Sequence, residues 1–250
     1  MTKQRFFIPV ENISQGRVIF PPALQSQLSR VLRFKSGAEV EVLDNQGAVF
    51  QVRLNYTQSG SWVGEILSSA QAVAEPRVRL ALLFGLTQRD KVEWILQKGT
   101  EIGVSAFHPF ISRRTLSQKS QDNVKRAARW QAILREAAEQ SGRGRIPELV
   151  PPQNFKQALS VAARDFDLTL AAWEEEAGQD LKNLPSLKKS ASIALFCGPE
   201  GGFDPLEIAL MADSGVQFFT LGRRVLRMET AAILAPALVL YELGEMGLSK

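Results

Sequence analysis

The first seventy residues alternate apolar and polar positions in short runs. Residues 17–20, 39–43, 48–54 and 61–67 read as strands, separated by Ser36-Gly37, Asp44-Asn45-Gln46-Gly47 and Gln58-Ser59-Gly60. One short helix is expected over residues 23–32. Several short strands joined by close turns predict a small barrel or sandwich.

The rhythm changes after residues 68–76. Residues 77–84 are almost continuously apolar beyond their arginines, the pattern of a strand covered on both faces. Residues 89–102 read as a helix, with Trp94, Ile95, Lys98 and Ile102 spaced by three or four and Gly103 ending it. Residues 104–111 read as the next strand, and 122–140 as a long helix capped by Asp122 and stopped at Ser141-Gly142. A helix over 155–164 and strands over 167–173 and 192–197 follow. A helix from Pro205, a strand over 216–221 and a final helix from about Glu229 complete the series. Alternating strands and helices predict a mostly parallel α/β sheet. Trp94 and Trp130 fall on apolar helix faces and are expected in the core. His108 is expected as a core or strand-edge histidine rather than a general base.

Composition narrows the class. The chain has 250 residues, 45% of them hydrophobic, enough to bury a core and too apolar for dominant disorder. Cys197 is the only cysteine and His108 the only histidine, which excludes an internal disulfide and a His/Cys metal cluster, so no metal is expected. Residues 1–16 lack the long apolar run and small-residue cleavage site of an export signal. The longest apolar stretch, 231–241, is about half a membrane span and contains Pro236. A cytoplasmic protein with no membrane partner is the expectation.

Net charge is +4, but unevenly spread: residues 71–145 carry +7 and residues 146–250 carry −5. Between 113 and 145 the basic side chains Arg113, Arg114, Lys119, Lys125, Arg126, Arg129, Arg135, Arg143 and Arg145 face only Asp122, Glu136 and Glu139. Such an excess on a near-neutral chain fits either a solvated helix face or a surface turned to a polyanion, and the preference for Arg favours phosphate.

Two segments carry candidate chemistry. In Cys197-Gly198-Pro199-Glu200-Gly201-Gly202-Phe203-Asp204-Pro205-Leu206-Glu207 a buried strand ends in a glycine-rich loop, and a helix follows. Asp204, Pro205 and Glu207 fit N-cap, N1 and N3. Glycines at the carboxyl end of a parallel strand let backbone approach a ligand. Neither the P-loop nor the GxGxxG pattern is present. The second segment, Leu221-Gly222-Arg223-Arg224-Val225-Leu226-Arg227-Met228-Glu229-Thr230-Ala231, again joins a strand to a helix. Val225 and Leu226 could cradle a flat ring there, or plug the loop into the core.

Together GPEGG and LGxRVLRxETA resemble the SPOUT superfamily of S-adenosyl-L-methionine (SAM) methyltransferases, and more narrowly the RsmE family, which methylates N3 of a uridine in 16S rRNA. Three further segments resemble family signatures: Arg30-Val31-Leu32-Arg33, Lys98-Gly99-Thr100-Glu101-Ile102-Gly103-Val104 and Glu139-Gln140-Ser141-Gly142-Arg143. Gln27 stands where many relatives carry a histidine, so a histidine there is not the base in this chain. The resemblance implies a SPOUT-type, trefoil-knotted, mostly parallel sheet over residues 76–250. It also implies a small PUA-like RNA-binding β barrel over residues 1–70, a homodimer, and the small ribosomal subunit's 16S rRNA as partner. It implies that SAM is held by loops at Leu170, Ala172, Gly198, Glu200, Gly201, Leu221, Gly222, Val225 and Leu226.

Uracil N3 carries a weakly acidic proton, so its transfer reaction calls for a donor to the carbonyl oxygens and a proton acceptor. Arg227 and Glu200 are the candidates, unless the two form an ion pair that only shapes the pocket. Arg5, Arg30, Arg33, Arg113, Arg114, Arg143 and Arg145 are the expected RNA contacts. Cys197 at a strand end would suit methylation at C5, which needs a nucleophile, or be a buried core residue. Two other readings remain: a ribose 2′-O-methyltransferase of the same fold, and a non-catalytic assembly factor.

Overall fold

The computed structural model describes residues 3–115, 123–176 and 179–247. It separates into two compact units. One combines Met1–Glu75 with Ala138–Ile146, the other Pro76–Ala137 with Pro147–Lys250.

Among the described residues the first unit holds six strands: β1 (Arg5–Phe7), β2 (Ile13–Ser14), β3 (Arg17–Ile19), β4 (Glu39–Leu43), β5 (Ala48–Tyr56) and β6 (Trp62–Gln71). Their order is β1-β4-β5-β6-β3-β2, with β1 parallel to β4 and every other pair antiparallel. Alternation does the sorting. Val40, Val42, Val52 and Leu54 point to one side and meet Phe6, Val18, Phe20 and Leu28 in a common core. The expected helix at 23–32 is α1 (Pro22–Ser26) running into a wider, π-type turn over Gln27–Val31, where Leu32 N–H donates to the Gln27 carbonyl at 2.9 Å.

The Glu139–Arg143 signature braces this unit. Phe7 N–H donates to Glu139 Oε1 at 3.0 Å, and Arg5 donates to Glu41 Oε2 at 2.7 Å and to the Gln140 carbonyl at 3.3 Å. Arg143 is 2% exposed and donates to Glu75 Oε2 at 2.8 Å. The expectation that Arg143 touches RNA is therefore corrected: its guanidinium is committed inside the protein.

The second unit is built on β7 (Arg79–Gly85), β8 (Ala106–Ile111), β9 (Glu148–Leu149), β10 (Gln153–Asn154), β11 (Leu168–Ala172), β12 (Ser192–Cys197) and β13 (Gln217–Phe219). The order is β10-β8-β7-β12-β11-β13, β9 also pairs β8, and every pairing is parallel. The central strands β7, β12 and β11 are buried along almost their whole length, as near-continuous apolar runs require.

Among the described residues four α-helices lie between these strands, α2 (Arg89–Ile102), α3 (Asn123–Ser141), α4 (Phe155–Asp165) and α5 (Pro205–Asp213), and α6 (Met228–Glu242) follows β13. Gly103 ends α2 at φ 119°, a conformation glycine adopts without strain. α5 starts with the expected capping box: Leu206 N–H donates to Asp204 Oδ1 and Asp204 N–H to Glu207 Oε2, both at 3.0 Å. Glu207 also accepts from Ser112 Oγ at 2.9 Å and Arg113 N–H at 3.0 Å, tying the end of β8 to the glycine loop. The expected cap Asp122, and Lys119, lie outside the described residues. Trp94 is corrected: Ile95 takes the buried face of α2, and Trp94, one residue away, is 50% exposed. Trp130 is buried as expected, with the Arg126 guanidinium over its ring at 5.2 Å.

His108 lies in β8, 5% exposed, and neither ring nitrogen has a hydrogen-bond partner. Burial holds its pKa below 6.5, with Glu148 and Asp165 opposing and Arg79 assisting. Below pH 6.5 the unfolded chain takes up a proton that the folded one refuses, so stability falls as pH falls through that value. One such proton contributes a slope of at most about 1.4 kcal/mol per pH unit. His108→Phe is expected to flatten this slope in urea midpoints measured between pH 7.5 and 5.5. An unchanged slope would refute the assignment.

Candidate functional site

β12, β11 and β13 are adjacent, so their carboxyl ends and the loops that follow converge. They surround a cavity of about 370 Å³, within the range of small-ligand sites. Its position, beyond the carboxyl ends of parallel strands, is where α/β sheets bind ligands.

Ala172, Gly198, Glu200, Leu221, Gly222, Val225, Leu226 and Arg227 all line this cavity. Two expected cofactor residues do not. Leu170 is fully buried within β11, and Gly201 turns toward Arg114, whose Nη1 donates to its carbonyl at 3.0 Å. Val225 is 87% exposed, so it does not plug its loop into the core.

The wall also holds Lys91 and Glu174, which the sequence did not single out, together with Trp173 at the end of the expected strand and Glu229 of the second segment. Lys91 Nζ lies 3.4 Å from Glu200 Oε1 and 3.4 Å from Glu229 Oε2. Thr87 Oγ1 donates to Glu200 Oε1 as well. The remaining oxygen of Glu200, and Oε2 of Glu229, are buried without a hydrogen bond. Glu200 thus pairs with Lys91, not with Arg227. Among the described residues, Arg227 is exposed and has no ion-pair partner. The only sequence signal for Lys91 was its place in the first turn of α2.

Cys197 also lines the cavity but is 1% exposed, and burial pushes its thiol up to about 12. A thiol held in that form is a poor nucleophile at neutral pH. Cys197→Ser is expected to retain the activity that the resemblance implies, with a stability loss of about 1–3 kcal/mol for the buried hydroxyl. A rate reduced to background would revive attack through this sulfur.

The expected polyanion contacts divide. Arg30, Arg33, Arg113, Arg114 and Arg145 are exposed. Arg113 and Arg114 lie beside the glycine loop, 3.7 and 3.9 Å from Asp204. Arg145 donates to the Gln46 carbonyl. Arg5 is part-buried on Glu41.

A family model described as "RNA methyltransferase domain" matches residues 74–240. "Ribosomal RNA small subunit methyltransferase E" of Synechocystis sp. is 34% identical, aligned over 93% of this chain and 76% of its own. The protein of that name from Bacillus subtilis is 30% identical, over 85% of each chain. Among solved structures, ribosomal RNA small subunit methyltransferase E from Neisseria gonorrhoeae bound to S-adenosyl methionine superposes with a TM-score of 0.85. That match has 31% identity and covers 96% of this chain and 98% of the other.

Proposed function

The chain belongs to the RNA methyltransferase domain family, and we propose from that membership that it methylates N3 of a uridine in 16S rRNA, using S-adenosyl-L-methionine. The observation that carries the reading is the cavity at the ends of β11, β12 and β13, lined by the GPEGG and LGRRVLRMETA segments. Its size, its glycine edges and the buried Glu200 Oε2, which accepts no hydrogen bond, suit a ligand with both a flat ring and cationic or N–H groups.

Ala172, Gly198, Leu221, Gly222, Val225 and Leu226 would hold the cofactor. When bound, SAM supplies a methyl group already activated on a sulfonium, so the protein mainly positions and adjusts the acceptor. Glu200 accepts the N3 proton, and Arg227 donates to the uracil carbonyl oxygens as negative charge develops there. Arg30, Arg33, Arg113 and Arg114, together with the less free Arg5 and Arg145, hold RNA phosphates.

Several finer features belong to this reading. The second domain, residues 76–250, carries a trefoil knot. The family membership supports that threaded path, and the parallel sheet with β12 between β7 and β11 is compatible with it. Residues 1–70 form a PUA-like RNA-binding barrel, supported by the curled six-stranded sheet. The enzyme acts as a homodimer, supported by large exposed apolar side chains, Trp94 on α2 and Leu234 and Tyr241 on α6. Among the described residues no helix is long and apolar enough to cross a membrane. Its place of action is the cytoplasm, where small subunits are assembled.

The test is a transfer assay with labelled SAM and small subunits lacking the modification, followed by digestion and nucleoside identification. Label in 3-methyluridine is the expected result. Label in a 2′-O-methyl nucleoside would overturn the acceptor atom, and absence of SAM binding would overturn the enzyme class.

A further inference from the structure

Resting on the SAM reading above, we propose that Lys91 is a positioning residue: it sets the cavity's affinity for SAM by holding Glu200 and Glu229 on one ammonium. Three segments distant in sequence meet at this point. Lys91 comes from the first turn of α2, Glu200 from the loop after β12, and Glu229 from the first turn of α6. Both carboxylates lie 3.4 Å from the same Nζ, and all three residues line the cavity.

The side chains are 24%, 20% and 10% exposed, so water screens them only partly. One positive charge against two negative ones leaves the group with an excess negative charge at the cavity wall. Glu200 has a second support in Thr87, whereas among the described residues Glu229 has Lys91 alone. Removing the ammonium leaves two like charges facing each other across the seam between the loops. Repulsion then acts on the loop that carries Glu200 and on the first turn of α6 that carries Glu229, both at the cavity wall. The effect falls first on the shape of the empty site and so on SAM binding, whereas Arg113 and Arg114 reach the glycine loop at Gly201 and Asp204, away from the ammonium.

The test is calorimetric titration of SAM into the purified full chain, beside its thermal unfolding and the KM for RNA. Lys91→Met is expected to weaken SAM binding about tenfold, which is about 1.4 kcal/mol, with a smaller change in the KM for RNA. Lys91→Arg keeps the charge and is expected to bind within about threefold of the parent. Adding Glu229→Gln to Lys91→Met removes the repulsion and is expected to recover part of the loss. Parental affinity in Lys91→Met would overturn the proposal. So would equal losses in Lys91→Met and Lys91→Arg accompanied by equal drops in unfolding temperature, since the cause would then be packing and not charge. Failure of the parent protein itself to bind SAM would overturn the underlying SAM reading instead, so the two failures are distinguishable.

Discussion

Arg227→Ala is expected to lower kcat for methyl transfer about 10²- to 10³-fold, with SAM affinity changed by less than about threefold. The magnitude is that of removing one preorganised donor from a developing oxyanion. Uracil N3 is a poor nucleophile until its proton leaves, and the charge then spreads onto the flanking carbonyl oxygens. A cation aimed at those oxygens stabilises the transition state more than the neutral ground state, so its loss appears in kcat. Arg227 is suited to this because it is exposed at the cavity, immediately before α6, and no carboxylate engages it among the described residues. Arg227→Lys should recover part of the rate, since a point charge replaces the guanidinium fork incompletely. Steady-state kinetics with saturating SAM separates the outcomes. Unchanged kcat would remove Arg227 from the chemistry, and a loss confined to SAM affinity would reassign it to holding the cofactor.

Much of the fold was legible because local rules governed it. The apolar run of β12 marks a strand buried on both faces, and its bounds, residues 192–197, match the expectation. α2 spans the expected 89–102, because its spacing and Gly103 agree on where it stops. The cap of α5 follows from the chemistry of Asp204 and Glu207. Strands β1 and β2 were missed because runs of three and two residues carry no measurable period. Trp94 and Ile95 are neighbours in sequence, and periodicity alone did not decide which of them α2 buries.

The site divides the same way. Its glycine loops announce themselves, since glycines after a buried strand have few other uses. Lys91 does not, because its role depends on two carboxylates more than a hundred residues away. Arg143 misled for the converse reason. A count of basic residues sees a charged surface, while its partner Glu75 lies 68 residues earlier.

Gly85→Ala is expected to damage folding and cofactor binding together, although alanine is the smallest possible change. Gly85 ends β7, where the chain leaves the sheet toward Thr87 and α2. A Cβ built there would lie 2.6 Å from Pro199 N and 2.7 Å from Pro199 Cα. Those are backbone atoms of the GPEGG loop, so no rotamer change can relieve the clash. Either β7 or the loop must shift. Forcing volume into packed structure costs about 1–3 kcal/mol, and displacement of Pro199 carries Gly198 and Glu200 with it. A loss of SAM affinity of about tenfold or more therefore accompanies the stability loss, since a misplacement of about 1 Å at a binding site is enough to cost that much. Gly247→Ala supplies the control, because a Cβ there meets nothing within 4 Å. Urea midpoints and SAM titrations on the two variants decide the matter. If Gly85→Ala matched the parent in both measurements while Gly247→Ala did the same, the close approach of β7 to the glycine loop would not be what shapes the cavity, and the wall at Glu200 would have to be held by its ion pair with Lys91 and its hydrogen bond from Thr87 alone.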